Sequence, residues 1–120
     1  MTDQELFDKV AAHLLKQGVR AESQFAGGCA YRGENGTKCA AGVLIADEHY
    51  SDVLEGGKAI DAIVTLALKR SGVEESQLDL VHALQMIHDA VPPPGWKDEL
   101  RNLAGLFRLS TAVLEQGGAA

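Results

Sequence analysis

The sequence predicts a mainly helical α+β fold, with four to five helices packed around one small β-hairpin at about residues 29–40. Apolar residues recur at helical spacing along most of the chain. The exception is the segment around Asn35-Gly36, the dipeptide that most strongly signals a short hairpin turn. The 120 residues and the mean hydropathy of -0.05 fit a single compact domain, which we expect to span residues 1–116 with a frayed tail at 117–120.

The first helix is predicted to begin after Thr2. Thr2 and Glu5 have the spacing of a capping box, in which each side chain accepts a hydrogen bond from the main-chain N–H of the other residue. An apolar stripe follows at helical spacing in residues 6–15. Gly18 is placed to end the helix.

The predicted hairpin contains both cysteines of the chain, Cys29 and Cys39. Its register is left open by the sequence. A two-residue turn at Asn35-Gly36 would place Cys39 opposite Arg32, whereas a three-residue loop would place Cys39 opposite Tyr31. Only the second register would let the two thiols approach each other.

The remainder of the chain is predicted to be helical, apart from a short helix or turn with an acidic surface before Gly56-Gly57. A short apolar run at residues 41–45 leads into an acidic segment, and Gly56-Gly57 interrupts the pattern. Pro92 to Pro94 must stop any helix that reaches residue 90. Helices are predicted at 58–70, at about 75–90 and at 96–107, the last continuing to 116 after a break near Ser110.

The charge balance excludes several classes of partner. Seventeen acidic residues against eleven basic residues give a net charge of -6, so long nucleic acids and anionic membranes should repel the molecule. No apolar run approaches the roughly 20 residues of a membrane-spanning helix. Because the first residues are acidic and polar rather than signal-like, we expect a cytoplasmic protein with reduced thiols.

The segment from Cys29 to Tyr50 carries the pattern C-x-Y-R-x5-K-C-A-x-G-x-L-I-x-D-x-x-Y. This pattern resembles the hairpin core of small uncharacterised proteins of bacteria and of their phages and prophages. The resemblance covers about residues 29–56 and, more weakly, residues 84–89. It implies a phage-related setting, in which small accessory proteins bind and block host factors or sequester signalling molecules.

A small anionic ligand at the hairpin is the leading functional hypothesis. Residues 28–44 are locally positive, with Arg32 and Lys38 against one acidic residue. These two cations, a stacking surface at Tyr31 and loop amides near Gly33 and Gly36 could hold a nucleotide-derived signal. The alternative is that both cations are solvated residues on the outer face of the hairpin. A homodimer would enclose such a ligand better than one small domain does.

An acidic protein-interaction surface is the second hypothesis. The run after residue 46 carries four carboxylates that could occupy a nucleic-acid-binding site of a basic host protein, Asp47, Glu48, Asp52 and Glu55. Such a run is more often simply solvated.

Catalysis and metal binding have less support, so we expect neither an enzyme nor a cofactor. A cysteine hydrolase would need Cys39 as nucleophile and a histidine base, His82 or His88, oriented by Asp79 or Asp89. Zinc would need Cys29, Cys39, His49 and His82 or His88. The chain has no local nucleophile motif, and its ligands lack the close pairing usual in structural zinc sites.

Overall fold

The computed structural model describes residues 1–22, 30–55 and 61–118. Within these ranges the protein is mainly helical. The α-helices are α1 (Asp3–Gln17), α2 (Ala40–Leu44), α3 (Ala62–Arg70), α4 (Leu78–Ala90), α5 (Trp96–Leu106) and α6 (Ala112–Gly118). Single 3₁₀ turns lie at Glu34–Gly36, Asp47–His49, Asp52–Leu54, Glu75–Gln77 and Pro93–Gly95.

The predicted β-hairpin, and with it the α+β class, is wrong. No β-strand occurs in the described ranges, and residues 30–39 form a turn closed by one isolated antiparallel bridge between Arg32 and Lys38. Hairpin pairing cannot extend past Cys39, because that residue is already the N-cap of α2. So short a ladder, without a third strand, is not an independently stable sheet.

The chain nevertheless reverses where the sequence predicts a turn. Asn35 and Gly36 both have left-handed backbone angles, with φ of 59° and 74°. Main-chain hydrogen bonds run from Gly33 N to Thr37 O at 2.9 Å and from Cys39 N to Tyr31 O at 3.2 Å. Cys39 therefore lies opposite Tyr31, as in the three-residue register, while Cys29 is outside the described residues.

The predicted start and end of α1 are confirmed. Glu5 N donates to Thr2 Oγ1 at 3.1 Å, and Thr2 N donates to Glu5 Oε1 at 2.8 Å. Gly18 ends the helix with a left-handed φ of 70°. The apolar stripe is buried from Leu6 to Leu14, and Leu15 at its end is half-buried.

The later helices differ from the prediction mainly at their ends. A 3₁₀ turn at Glu75–Gln77 precedes α4, and Pro92 follows its end. The break near Ser110 separates α5 from α6, which includes residues 117 and 118. Residues 58–60, predicted to open the third helix, lie outside the described ranges. The helical spacing of apolar residues in 58–70 predicts a buried face that includes Ile63, but Ile63 is 48% exposed.

One hydrophobic core joins these elements. Helix α1 contacts α2, α4, α5 and α6, and α4 also contacts α2 and α5. Trp96 is buried at the start of α5 and donates its indole N–H to Val91 O at 2.8 Å. Helix α2 is short but almost wholly buried, so the 31–39 turn that leads into it is held against the core.

Candidate functional site

Arg32 is the centre of a network that joins the 31–39 turn to residues 45–55. Its Nη2 donates to Ile45 O at 3.1 Å and pairs with Asp47 Oδ1 at 2.8 Å. The guanidinium carbon lies 4.2 Å from the centroid of the Tyr50 ring, a cation–π contact. Within the described part of the chain, the buried Arg32 Nε has no hydrogen-bond partner. The charge of Arg32 is thus largely compensated from within the protein.

Glu55 makes the second connection between the same two segments. Its Oε1 accepts from Tyr31 N at 2.9 Å, and its Oε2 accepts from Arg32 N at 3.2 Å. The Tyr50 hydroxyl also donates to Glu55 Oε2. Burial and the hydrogen bond to Glu55 raise the pKa of Tyr50 to about 12, because ionisation would place two negative groups together.

The contacts of Arg32 and Glu55 hold residues 45–55 in place at both ends. Arg32 holds Ile45 and Asp47 at the beginning of the segment, and the main chain at residues 31 and 32 holds Glu55 at its end. Leu54 is buried in the core beside this second attachment. We call residues 45–55 the acidic segment.

The four carboxylates of the acidic segment divide into two kinds. Asp47, Glu48 and Asp52 are exposed, and the Asp47 side chain remains 85% exposed although it pairs with Arg32. Val53 beside them is 69% exposed. Glu55 instead faces the 31–39 turn and accepts hydrogen bonds there. No sequence pattern separates Glu55 from the other three carboxylates.

The residues predicted to bind a small anion lie close together in the chain reversal but have different environments. Tyr31 is buried, with only 4% exposure, so its ring offers no open stacking surface. Lys38 N donates to Gln17 Oε1 at 2.9 Å, and Lys38 O accepts from Gln17 Nε2 at 3.0 Å. Gly33 packs against the main chain of Glu22, and Gly36 occupies the left-handed position of the turn.

Cys39 is buried rather than poised as a nucleophile. Its Sγ accepts from Gly42 N at 3.3 Å and caps α2. Burial raises the pKa of the thiol to about 12, which disfavours the reactive thiolate.

His88 uses both ring nitrogens within the protein. Nε2 accepts a hydrogen bond from Ala21 N at 3.0 Å, and Nδ1 lies 2.6 Å from Asp89 Oδ1. Because Nε2 is an acceptor, Nδ1 carries the proton and donates to Asp89. The ring therefore has no free lone pair for the general base that the hydrolase alternative requires.

Sequence reasoning also missed Gln85, which lies on the same face of α4 as His88. Gln85 Oε1 accepts from Ala41 N, and Gln85 Nε2 donates to Asp89 Oδ1, both at 2.9 Å. A glutamine on the apolar side of a predicted helix was the available signal.

The described residues contain no group of three or more histidine, cysteine or acidic side chains that could hold a metal ion.

No helix in the described ranges is both long and apolar enough to cross a membrane. Comparison with known proteins finds no matching family model, no matching curated protein and no matching solved structure.

Proposed function

We propose that this chain is a non-enzymatic binding protein whose acidic segment occupies a basic, nucleic-acid-binding surface of another protein. The observation that carries the proposal is the attachment of this segment at both ends, through Arg32 and Glu55, while Asp47, Glu48 and Asp52 face solvent. The protein would act by blocking its partner rather than by chemistry.

The attachment matters because binding by a mobile loop costs entropy. Ordering side chains and loops at an interface opposes association, and a loop already held in place avoids much of that cost. The Arg32 and Glu55 contacts hold the main chain without covering Glu48 or Asp52. The acidic segment can therefore present its charge in a fixed arrangement.

Charge and apolar surface on the segment complement such a partner. Negative groups steer association with a basic surface and repel anionic competitors. Val53, largely exposed next to Asp52, adds an apolar contact to the acidic surface. In a cytoplasmic and phage-related setting, the partner would be a nucleic-acid-binding protein of the host.

The test compares capture of a partner by the wild-type chain and by the double variant Glu48→Gln/Asp52→Asn. Neither carboxylate takes part in an ion pair among the described residues, so the change alters charge and spares the Arg32 network. The wild-type chain is immobilised on a resin and incubated with a bacterial lysate, and the captured partner is purified. Fluorescence anisotropy then measures the affinity of this partner for each variant and for a labelled DNA duplex.

We expect the double variant to bind the purified partner at least about ten-fold more weakly. Wild-type binding should weaken as NaCl rises from about 0.05 to about 0.3 M, and the chain should displace the DNA. The matched control, Asp79→Asn/Glu99→Gln, removes the same charge from α4 and α5 and should bind as the wild type does. Equal loss in the control, or simultaneous binding of DNA and chain, would contradict the proposal.

The small-anion hypothesis stays a prediction. The observation that favours it is that the main-chain amides of Tyr31 and Arg32 already hold a negatively charged group, the Glu55 carboxylate.

A further inference from the structure

The donors around Glu55 form a set that would suit any oxyanion. Two consecutive main-chain N–H groups, those of Tyr31 and Arg32, point at its two oxygens at 2.9 and 3.2 Å. The Tyr50 hydroxyl donates to the same carboxylate. Successive amides that converge in a turn form an anion-binding concavity, and charge-assisted bonds of this kind are the strong ones.

The guanidinium of Arg32 adds positive charge near this carboxylate, on the other side of the contact with Tyr50. It lies over the Tyr50 ring, whose hydroxyl holds Glu55. Its Nη2 is committed to Ile45 and Asp47, but its Nε is buried without an acceptor among the described residues. A buried donor without a partner costs free energy, and an anion with more oxygens than a carboxylate could satisfy it.

From this arrangement we infer that Glu55 occupies a site for a phosphate group, and that an external phosphate or phosphomonoester binds there by displacing the Glu55 carboxylate. The ligand uses the amides of Tyr31 and Arg32, the Tyr50 hydroxyl and the Arg32 guanidinium. Lys38 and a stacking role for the buried Tyr31 ring are not required. This inference goes beyond the proposed function, because its ligand is a small anion rather than a protein.

Phosphate is a better competitor than a carboxylate. Glu55 is tethered, so its effective concentration at the donors is high, and an equivalent free carboxylate could not displace it. Phosphate carries more charge and more acceptor oxygens, and arginine guanidinium groups match phosphate geometry. The wild-type chain should therefore bind phosphate weakly, and removal of the Glu55 carboxylate should expose the full affinity.

The experiment is a titration of the ¹⁵N-labelled chain with inorganic phosphate at constant ionic strength, followed through its amide resonances. Four chains are compared: wild type, Glu55→Ala, Glu55→Ala/Arg32→Gln and the control Glu34→Ala. Glu34 is an exposed carboxylate in the neighbouring turn whose side chain accepts no hydrogen bond in the described structure. A second titration with AMP, a phosphomonoester, distinguishes free phosphate from a phosphorylated small molecule.

The expected result is saturable movement of the Tyr31 and Arg32 amide resonances in Glu55→Ala, with a dissociation constant at least about ten-fold lower than in the wild type. Arg32→Gln should abolish this gain, and Glu34→Ala should match the wild type. If Glu55→Ala does not fold, Glu55→Gln replaces it, because it also removes the charge and should shift affinity in the same direction.

Three results would overturn the inference: no saturable shift in either Glu55 variant, shifts centred on other residues, or an equal gain in Glu34→Ala. None of them bears on protein binding by the acidic segment, whose test changes Glu48 and Asp52, keeps Glu55 and uses a protein partner. The two proposals can therefore fail separately.

Discussion

Gly42 is the residue at which the turn and the first turn of α2 approach most closely. A Cβ built at this position would lie 1.9 Å from the carbonyl oxygen of Tyr31 and 2.8 Å from its carbonyl carbon. Both obstacles are main chain, so no side-chain rotation can relieve the contact. The absence of a side chain at Gly42 therefore sets how Tyr31 and α2 pack.

Replacing Gly42 by alanine should destabilise the protein by at least ~3 kcal/mol, because the main chain must move to admit one methyl group. Urea denaturation followed by circular dichroism measures the free energy of unfolding. Gly105→Ala is the matched control, because its Cβ would meet nothing within 4 Å on the exposed face of α5. That change should stabilise the helix by up to ~1 kcal/mol. Equal stability of the two variants would show that the close approach at Gly42 is absent.

Glu55 and Asp47 show how residues of one chemical type take different roles. Both belong to one acidic run in the sequence, yet Asp47 is 85% exposed and Glu55 holds two main-chain amides. Arg32, a predicted ligand-binding residue, pairs with Asp47. Sequence reasoning could not tell which charges pair with each other, because pairing depends on the path of the chain between them.

At the scale of elements, Gln85 connects α4 to the first turn of α2. A helix has unpaired N–H groups in its first turn, and that of Ala41 is satisfied by Gln85 Oε1 at 2.9 Å. The side chain is 8% exposed, so water cannot readily replace it. The pairing of α2 with α4 thus includes a buried polar contact inside an apolar core.

Gln85→Met should therefore destabilise the protein by ~1–3 kcal/mol, because the side chain keeps its size while the buried Ala41 N–H loses its acceptor. The free energy of unfolding is measured in urea. The control is the converse change one position later, Met86→Gln, at a residue that is 49% exposed. It should change the free energy of unfolding by no more than ~0.5 kcal/mol. A neutral Gln85→Met variant would mean that the hydrogen bond contributes nothing to stability.

Contacts between elements also explain why no β-hairpin forms around Asn35-Gly36. Asn35-Gly36 correctly predicts a chain reversal, because left-handed backbone angles are a local property of these residues. Whether the flanking residues pair as strands depends on what they meet. Cys39 begins a helix that packs against α1 and α4, so the pairing of Arg32 with Lys38 stays an isolated bridge.

At the scale of the whole molecule, three groups with raised pKa values among the described residues lie in one region, Tyr31, Cys39 and Tyr50. Burial raises the pKa of Tyr31, and the Cys39 thiolate and nearby carboxylates would raise it further. Cys39 and Tyr50 are each raised to about 12, from usual values of 9.0 and 10.0. All three retain their protons in the folded chain at pH values where the unfolded chain has released them.

The protein should therefore lose stability as the pH rises from about 9 towards 12. A folded-state pKa above the unfolded one adds stability that is complete below the unfolded value and disappears as the pH passes the folded value. The chain has two tyrosines, Tyr31 and Tyr50, and both have raised pKa values. Tyrosinate absorbance at about 295 nm should thus appear only together with loss of helical circular dichroism. A tyrosine that ionises near pH 10 in a chain that keeps its helices would contradict this prediction.

The sequence by itself determined where the chain reverses, where α1 begins and ends, and where α4 must stop. The Thr2 cap, the turn at Asn35-Gly36 and the stop before Pro92 act through steric and hydrogen-bonding effects within a few residues. Only the tertiary structure decided that the turn carries no strands, that Glu55 faces inward and that Gln85 supports α2. The carboxylate of Glu55 meets amides 24 and 23 positions away, and Gln85 meets one 44 positions away. Such contacts depend on how the helices pack, and no local pattern encodes them.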